Sequence, residues 1–282
     1  MIERLAIVGI GLLGGSVAKA ARAGGLAREI VGIGRDQARL QPAVADGTLD
    51  RAVTDLAAGV AGADLIVLAG PVLVNERLLA QAWPAAEPGA VFTDVGSTKA
   101  GFVCAAQRLA AMRPLAFVGS HPMAGSEQAG YALSRAELFR GATVIVTPTE
   151  STELRALKMV SGFWESAGAR VATLDPETHD RVVAAISHLP HLVADALVDA
   201  VTRFEPAAFP FAARGFKDTT RIAAADPIMW QEIFLANRDA LLGSLRAFRE
   251  ALDALEALVN AGDPTKLEAA LTEIKRVREA VK

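Results

Sequence analysis

A short apolar strand, Leu5-Ala6-Ile7-Val8, runs directly into Gly9-Ile10-Gly11-Leu12-Leu13-Gly14-Gly15-Ser16. G-x-G-x-x-G between a strand and an Ala-rich amphipathic helix is the fingerprint of a dinucleotide-binding turn. The three glycines serve different ends. Gly9 permits the tight turn, Gly11 lets a pyrophosphate approach the main chain, and Gly14 lets the helix close on the sheet. The helix, residues 12–23, then aims its positive end at the phosphates. Gly9, Gly11, Leu12, Leu13 and Gly14 are therefore the expected cofactor-binding residues of this turn.

The first half of the chain alternates strands and helices. Apolar strands are expected at residues 4–9, 29–34, 64–69, 91–95, 116–119, 142–147 and 170–174, with helices at 75–82, 100–112 and 153–167. Short continuous apolar strands separated by helices imply a parallel, doubly wound α/β sheet with both faces covered. The character changes at Asp175-Pro176, a helix N-cap followed by Pro in the first turn. Beyond it the pattern is helical, at 176–186, 190–204, 227–259 and 264–281, interrupted by a Pro-, Phe- and Gly-rich stretch at 205–216. The expected architecture is a Rossmann-like dinucleotide-binding domain, 1–174, followed by an all-helical substrate and dimerisation domain, 175–282.

At 282 residues, with 52% hydrophobic and 22% charged residues, a large core is expected and disorder is not. The net charge of −3, with signs mixed throughout, points away from nucleic acid as a partner. Cys104 is the single cysteine, so no intrachain disulfide is possible, which fits a reducing cytoplasm. No leader is read at the N-terminus, and no apolar run is read as approaching a membrane span. A cytoplasmic protein is expected. His188 and His191 lack supporting carboxylate or cysteine ligands, so no metal is expected.

The second strand should end near the adenosine ribose, where an acidic residue favours NAD. Here it ends Gly32-Ile33-Gly34-Arg35-Asp36. A small residue followed by Arg35 makes room and charge for a 2′-phosphate, which favours NADP over NAD. In the alternative, Arg35 is a solvated loop residue and Asp36 binds the ribose.

Polar groups recur where strands end or domains join: Asp94-Val95-Gly96-Ser97-Thr98-Lys99, Gly119-Ser120-His121-Pro122-Met123-Ala124-Gly125-Ser126-Glu127, Ser187-His188-Leu189-Pro190-His191, and Gly215-Phe216-Lys217-Asp218-Thr219-Thr220-Arg221 ahead of Asp226-Pro227-Ile228-Met229-Trp230. The chain has only four histidines. His179, in Pro176-Glu177-Thr178-His179-Asp180, reads as a helix-surface or hinge residue. The ordered motifs together resemble the prephenate/arogenate (cyclohexadienyl) dehydrogenases of tyrosine biosynthesis, from about Arg4 to the helices beyond Trp230.

That resemblance implies oxidation of a cyclohexadienol with loss of its ring carboxylate as carbon dioxide. It makes His121 the acceptor that polarises the ring hydroxyl and Ser97 an orienting residue beside it and the nicotinamide. Arg221 becomes the guanidinium that grips the ring carboxylate, for which a bidentate fork is well matched. His191 takes the place of a second substrate-pocket histidine, with His188 the less favoured neighbour. Lys217 and Trp230 are weaker candidates, and Gly215 lies in a loop that reaches in from the other subunit of a homodimer. Two other readings compete. A β-hydroxyacid dehydrogenase shares the layout but calls for a catalytic lysine at the domain junction, which is absent here. A non-catalytic NADP-binding sensor would not need His121, Ser97 and Arg221.

Overall fold

The computed structural model describes residues 1–125 and 130–281. The Ser126 and Glu127 of the third motif thus lie outside the described residues. Eight strands form one sheet in the order β3-β2-β1-β4-β5-β6-β7-β8. They are β1 (Ile2–Val8), β2 (Ala27–Ile33), β3 (Arg51–Val53), β4 (Leu65–Leu68), β5 (Val91–Asp94), β6 (Ala116–Pro122), β7 (Thr143–Thr147) and β8 (Arg170–Thr173). Six helices accompany them: α1 (Leu12–Ala23), α2 (Gln37–Ala45), α3 (Leu56–Val60), α4 (Val72–Ala82), α5 (Ala100–Met112) and α6 (Leu154–Ser166).

Strand side chains alternate between faces, so apolar runs feed two separate cores. Leu5 and Ile7 join Val17, Ile30, Val67, Val118 and Trp164 on one side. Ala6 and Val8 join Val31, Ile66, Leu68, Phe92 and Phe102 on the other. The chain leaves β1 toward β2 and β3, then crosses back to β4 on the opposite side of β1. The carboxyl ends of β1 and β4 therefore flank the topological switch point, where such sheets bind ligands.

The all-parallel expectation needs one correction. β6 pairs with β5 in parallel only as far as Thr93↔Val118, then continues and pairs antiparallel with β7 through Gly119↔Thr147, Ser120↔Val146, His121↔Ile145 and Pro122↔Val144. β7 supplies main-chain partners to Ser120-His121-Pro122, which the sequence places beyond a strand ending at Gly119, so His121 stands on a strand. The short edge strand β3 is not apparent in the sequence, because its three residues carry no periodicity of their own.

The chain after Leu174 is helical: α7 (Pro176–Val183), α8 (Leu189–Phe204), α9 (Arg214–Thr220), α10 (Pro227–Ala236), α11 (Arg238–Ala261) and α12 (Pro264–Ala280). Asp175 caps α7 by accepting from the Thr178 amide at 2.8 Å. A π-helical segment, Ala184–His188, joins α7 to α8 without a break. The resulting helical stretch, Pro176–Phe204, is long and apolar enough to cross a membrane by length and composition, contrary to the expectation from sequence. The Ser-His-Leu-Pro motif had suggested a break there. The single helix expected over 227–259 is two, broken at Asn237, whose backbone leaves the helical region.

The glycine turn shows why its spacing is fixed. Gly9 has φ +98°, and a Cβ there would meet the Ala69 carbonyl oxygen at 2.9 Å. A Cβ on Gly14 would lie 1.9 Å from the Gly9 carbonyl oxygen. A Cβ on Gly11 meets nothing within 4 Å. Gly14→Ala is therefore expected to cost at least about 1–3 kcal/mol, read as a lowered urea midpoint. Gly11→Ala should leave the midpoint nearly unchanged yet weaken dinucleotide binding. Equal midpoints for wild type and Gly14→Ala would contradict this packing.

Candidate active site

The site grows from the ends of β5 and β6. Asp94 closes β5 and is buried, as is Lys99. The Lys99 ammonium contacts the Asp94 carboxylate, which also accepts from the amides of Gly96 (2.8 Å) and Ser120 (3.1 Å). These bonds fasten the β5–α5 turn, which carries half-buried Ser97, to β6. Ser120 Oγ is further held by Thr93 Oγ1 and the Trp164 indole N–H, each at 3.0 Å. The strand that carries His121 is thus fixed from both sides.

The helical region meets this strand through α7. Pro176, His179, Asp180 and Val183 form its buried stripe, spaced as an amphipathic helix requires. The Asp180 carboxylate accepts from the Lys99 amide (2.8 Å) and the Ala100 amide (2.9 Å) at the start of α5, where the helix dipole favours an anion. It also meets His179 Nδ1 at 2.8 Å, and His179 Nε2 lies 2.9 Å from His121 Nδ1.

Two amides already donate to Asp180, so it is an ionised acceptor. Burial raises its carboxyl, but the hydrogen bonds from His179 and the two amides win, and the net shift is downward. His179 Nδ1 then directs a proton at Asp180, and Nε2 of a singly protonated ring is an acceptor. His121 Nδ1 must donate to it, which leaves the lone pair on His121 Nε2. Burial, reinforced by His179, Lys99 and His188, holds the His121 pKa well below its ordinary value. The ring is a neutral proton acceptor with a fixed tautomer.

His188 and His191 are also buried, so all four histidines are interior. His191 stacks on Trp230 with ring centroids 3.5 Å apart, and His188 meets the same indole edge-on at 6.2 Å. His188 is joined to the Asp180 main-chain oxygen through the side chain of Asn237. Sequence reasoning missed His179, Asp180, Lys99 and Asp94 as site residues. The spacing 176, 179, 180, 183 was the available signal for His179 and Asp180. The surface or hinge reading of His179 is corrected by its complete burial.

The remaining expected residues lie farther out. Gly215 and Lys217 are exposed on α9, and Arg221 is exposed in the 3₁₀ turn Arg221–Ala224 that packs on α8. Asp218 faces Arg214 at 3.9 Å. Arg35 is exposed beyond β2, and Asp36 caps α2 by accepting from the Ala38 amide at 2.9 Å. The dinucleotide fits the glycine turn: the open space over Gly11 adjoins α1, whose N-cap, Gly11, has no side chain to cap the first amides. Among the described residues no group of three or more His, Cys, Asp or Glu is arranged to hold a metal.

Fold and site together define a protein of the dinucleotide-binding class with a helical second region. The sequence model of the prephenate dehydrogenase nucleotide-binding domain matches residues 17–173, and that of the prephenate dehydrogenase dimerization domain matches 175–273. Prephenate dehydrogenase of Bacillus subtilis is 34% identical over 95% of this chain and 73% of its own length. Cyclohexadienyl dehydrogenase of Zymomonas mobilis is 32% identical over 100% and 97%. The crystal structure of prephenate dehydrogenase from Aquifex aeolicus, in complex with hydroxyphenyl propionate and NAD+, superposes with a TM-score of 0.93 at 34% identity, covering 100% of this chain and 99% of that one. The chain belongs to the prephenate dehydrogenase family, and is a nicotinamide-dependent dehydrogenase of tyrosine biosynthesis.

The buried histidines make stability depend on pH. Burial pushes the His188 pKa down to about 4, against the opposing charge of Asp180. A depressed histidine pKa means the unfolded chain binds more protons between that value and the ordinary 6.5. Stability is fully present above pH 6.5 and falls as the pH drops toward 4. A loss on the order of a few kcal/mol is expected across this window in urea titrations. A flat profile would contradict neutral burial.

Proposed function

We propose that this chain oxidatively decarboxylates prephenate, arogenate or both, giving 4-hydroxyphenylpyruvate or tyrosine and carbon dioxide. The observation that carries the reading is the Asp180–His179–His121 chain, which leaves a buried, neutral Nε2 lone pair at the sheet's carboxyl end. Bound nicotinamide supplies the acceptor for the hydride that leaves the carbinol carbon.

His121 Nε2 takes the 4-hydroxyl proton as the C–H bond breaks and the ring oxygen becomes a ketone. The ring C–carboxylate bond then breaks, its electron pair flows through the ring to that oxygen, and carbon dioxide departs. His121 returns its proton to the oxygen and a phenol results, so no net proton is consumed. His179 and Asp180 hold the imidazole and stabilise its transient positive charge, as the third member of a catalytic triad does. Ser97 orients His121 and the nicotinamide. Arg221 grips the ring carboxylate as a permanent cation. His191 and Trp230 wall the pocket, and Lys217 and Gly215 approach from the surface.

NADP is the favoured cofactor, NAD the alternative. Gly34 leaves room at the end of β2, Arg35 supplies a cation, and Asp36 is engaged as a helix cap. The domain boundary lies near Leu174, between β8 and α7. The chain acts as a cytoplasmic homodimer: Phe204, Ile228, Leu252, Val259 and Ile274 are large, apolar and exposed on the helical region, within or beside the segment matched by the dimerisation model. The same pairing accounts for an apolar stretch of membrane-spanning length in which only 28% of the window is buried in one chain.

The reading is tested by absorbance of the reduced nicotinamide with prephenate and arogenate, each crossed with NADP and NAD. Turnover is expected, faster with NADP, and Arg35→Ala should remove that preference. His121→Asn should lower kcat by about 10²–10⁴-fold with NADP affinity unchanged, and Arg221→Ala should chiefly raise KM. Near-normal turnover of His121→Asn would remove the base assignment.

A further inference from the structure

Three buried ring nitrogens of the helical region meet no hydrogen-bond partner among the described residues: His188 Nε2, His191 Nδ1 and Trp230 Nε1. Leaving a buried N–H unpaired costs about 1–3 kcal/mol, so such a group calls for an explanation. For His188 the tautomer can be worked out. Asn237, at the break between α10 and α11, directs Nδ2 at the Asp180 main-chain oxygen (2.8 Å) and at His188 Nδ1 (3.1 Å). A carbonyl oxygen only accepts, so the amide nitrogen of Asn237 must face it. Its second N–H then donates to His188 Nδ1, and the ring proton resides on Nε2. His188 is 1% exposed.

We infer that His188 Nε2–H is a substrate-contacting donor, fixed in that tautomer by Asn237, and that it takes a carboxylate or keto oxygen of the substrate. The inference rests on the proposed reaction and names a further residue for it. It also reverses the order within Ser-His-Leu-Pro-His. His191 is covered by the Trp230 face, and its Nε2 lies 3.8 Å from Asp195, too far to set a tautomer. His188 has a defined donor and is tied through Asn237 to the helix turn that carries Asp180 and His179. The same geometry gives Asn237 a positioning role, because one carboxamide holds both the catalytic helix α7, through Asp180, and the substrate donor.

Long-range ¹H–¹⁵N spectra of the full chain labelled with ¹⁵N-histidine show which ring nitrogen carries each proton. Wild type should show His188 protonated at Nε2, with that nitrogen shifting when 4-hydroxyphenylpyruvate and NADP are added. Asn237→Asp turns the donor into an acceptor and should move the proton to Nδ1. His188→Leu should raise the KM for substrate at least 10-fold with a smaller change in kcat, and His188→Gln, which keeps a donor, should recover part of it. A loss confined to prephenate identifies the keto oxygen; an equal loss with arogenate identifies a carboxylate. Either supports the donor. An Nδ1 proton in wild type, or an unchanged KM in His188→Leu, would overturn it. No turnover by wild type with either acid would instead overturn the functional reading and the substrate half of this inference with it, while the tautomer still judges the part played by Asn237.

Discussion

One buried carboxylate organises the site. Asp180 accepts from two amides at the start of α5 and from the His179 ring, and so joins the helical region to the dinucleotide-binding sheet. The same bonds dictate where protons lie along the chain to His121. Charge-assisted hydrogen bonds of this kind are roughly twice as strong as neutral ones. A shift of α7 against α5 would break them together, so the relative placement of the two regions and the chemical state of His121 are one constraint.

Around that carboxylate the electrostatics are set by burial. Asp94 and Lys99 neutralise each other at the foot of the site, and removing one partner of such a pair leaves an uncompensated buried charge. Above them His121, His188 and His191 stay neutral because burial disfavours their charged forms. A neutral imidazole accepts a proton where an imidazolium would not. The consequence is a site that becomes less stable in acid, at the place where the proposed chemistry calls for a neutral ring.

The fold was legible because its signals are local. The glycine turn, the apolar strands and the Asp175-Pro176 helix start each follow from a few adjacent residues, and the structure places them as read. The antiparallel turn of β6 onto β7 was not legible, because Ser120-His121-Pro122 becomes a strand only through a partner more than twenty residues away. His121 was readable from its motif and from the family resemblance. His179 and Asp180 were passed over for the opposite reason: adjacent polar residues on a helix suggest solvent. Their burial emerges only when α7 meets the start of α5. Asn237 carries no sequence signal, since its role depends on α7, the Ala184–His188 segment and the α10–α11 break meeting at one point.

Whether Asp180 sets the state of His121 is tested most directly by single-turnover nicotinamide reduction in Asp180→Asn across pH. The carboxamide presents a donor as well as an acceptor, which weakens the hold on the His179 tautomer and removes the negative charge that stabilises the protonated pair. The expected result is a rate of reduction lowered by about 10²-fold or more, with a retained fold and unchanged NADP affinity. A folded Asp180→Asn enzyme that reduces the cofactor at the wild-type rate over the same pH range would contradict it.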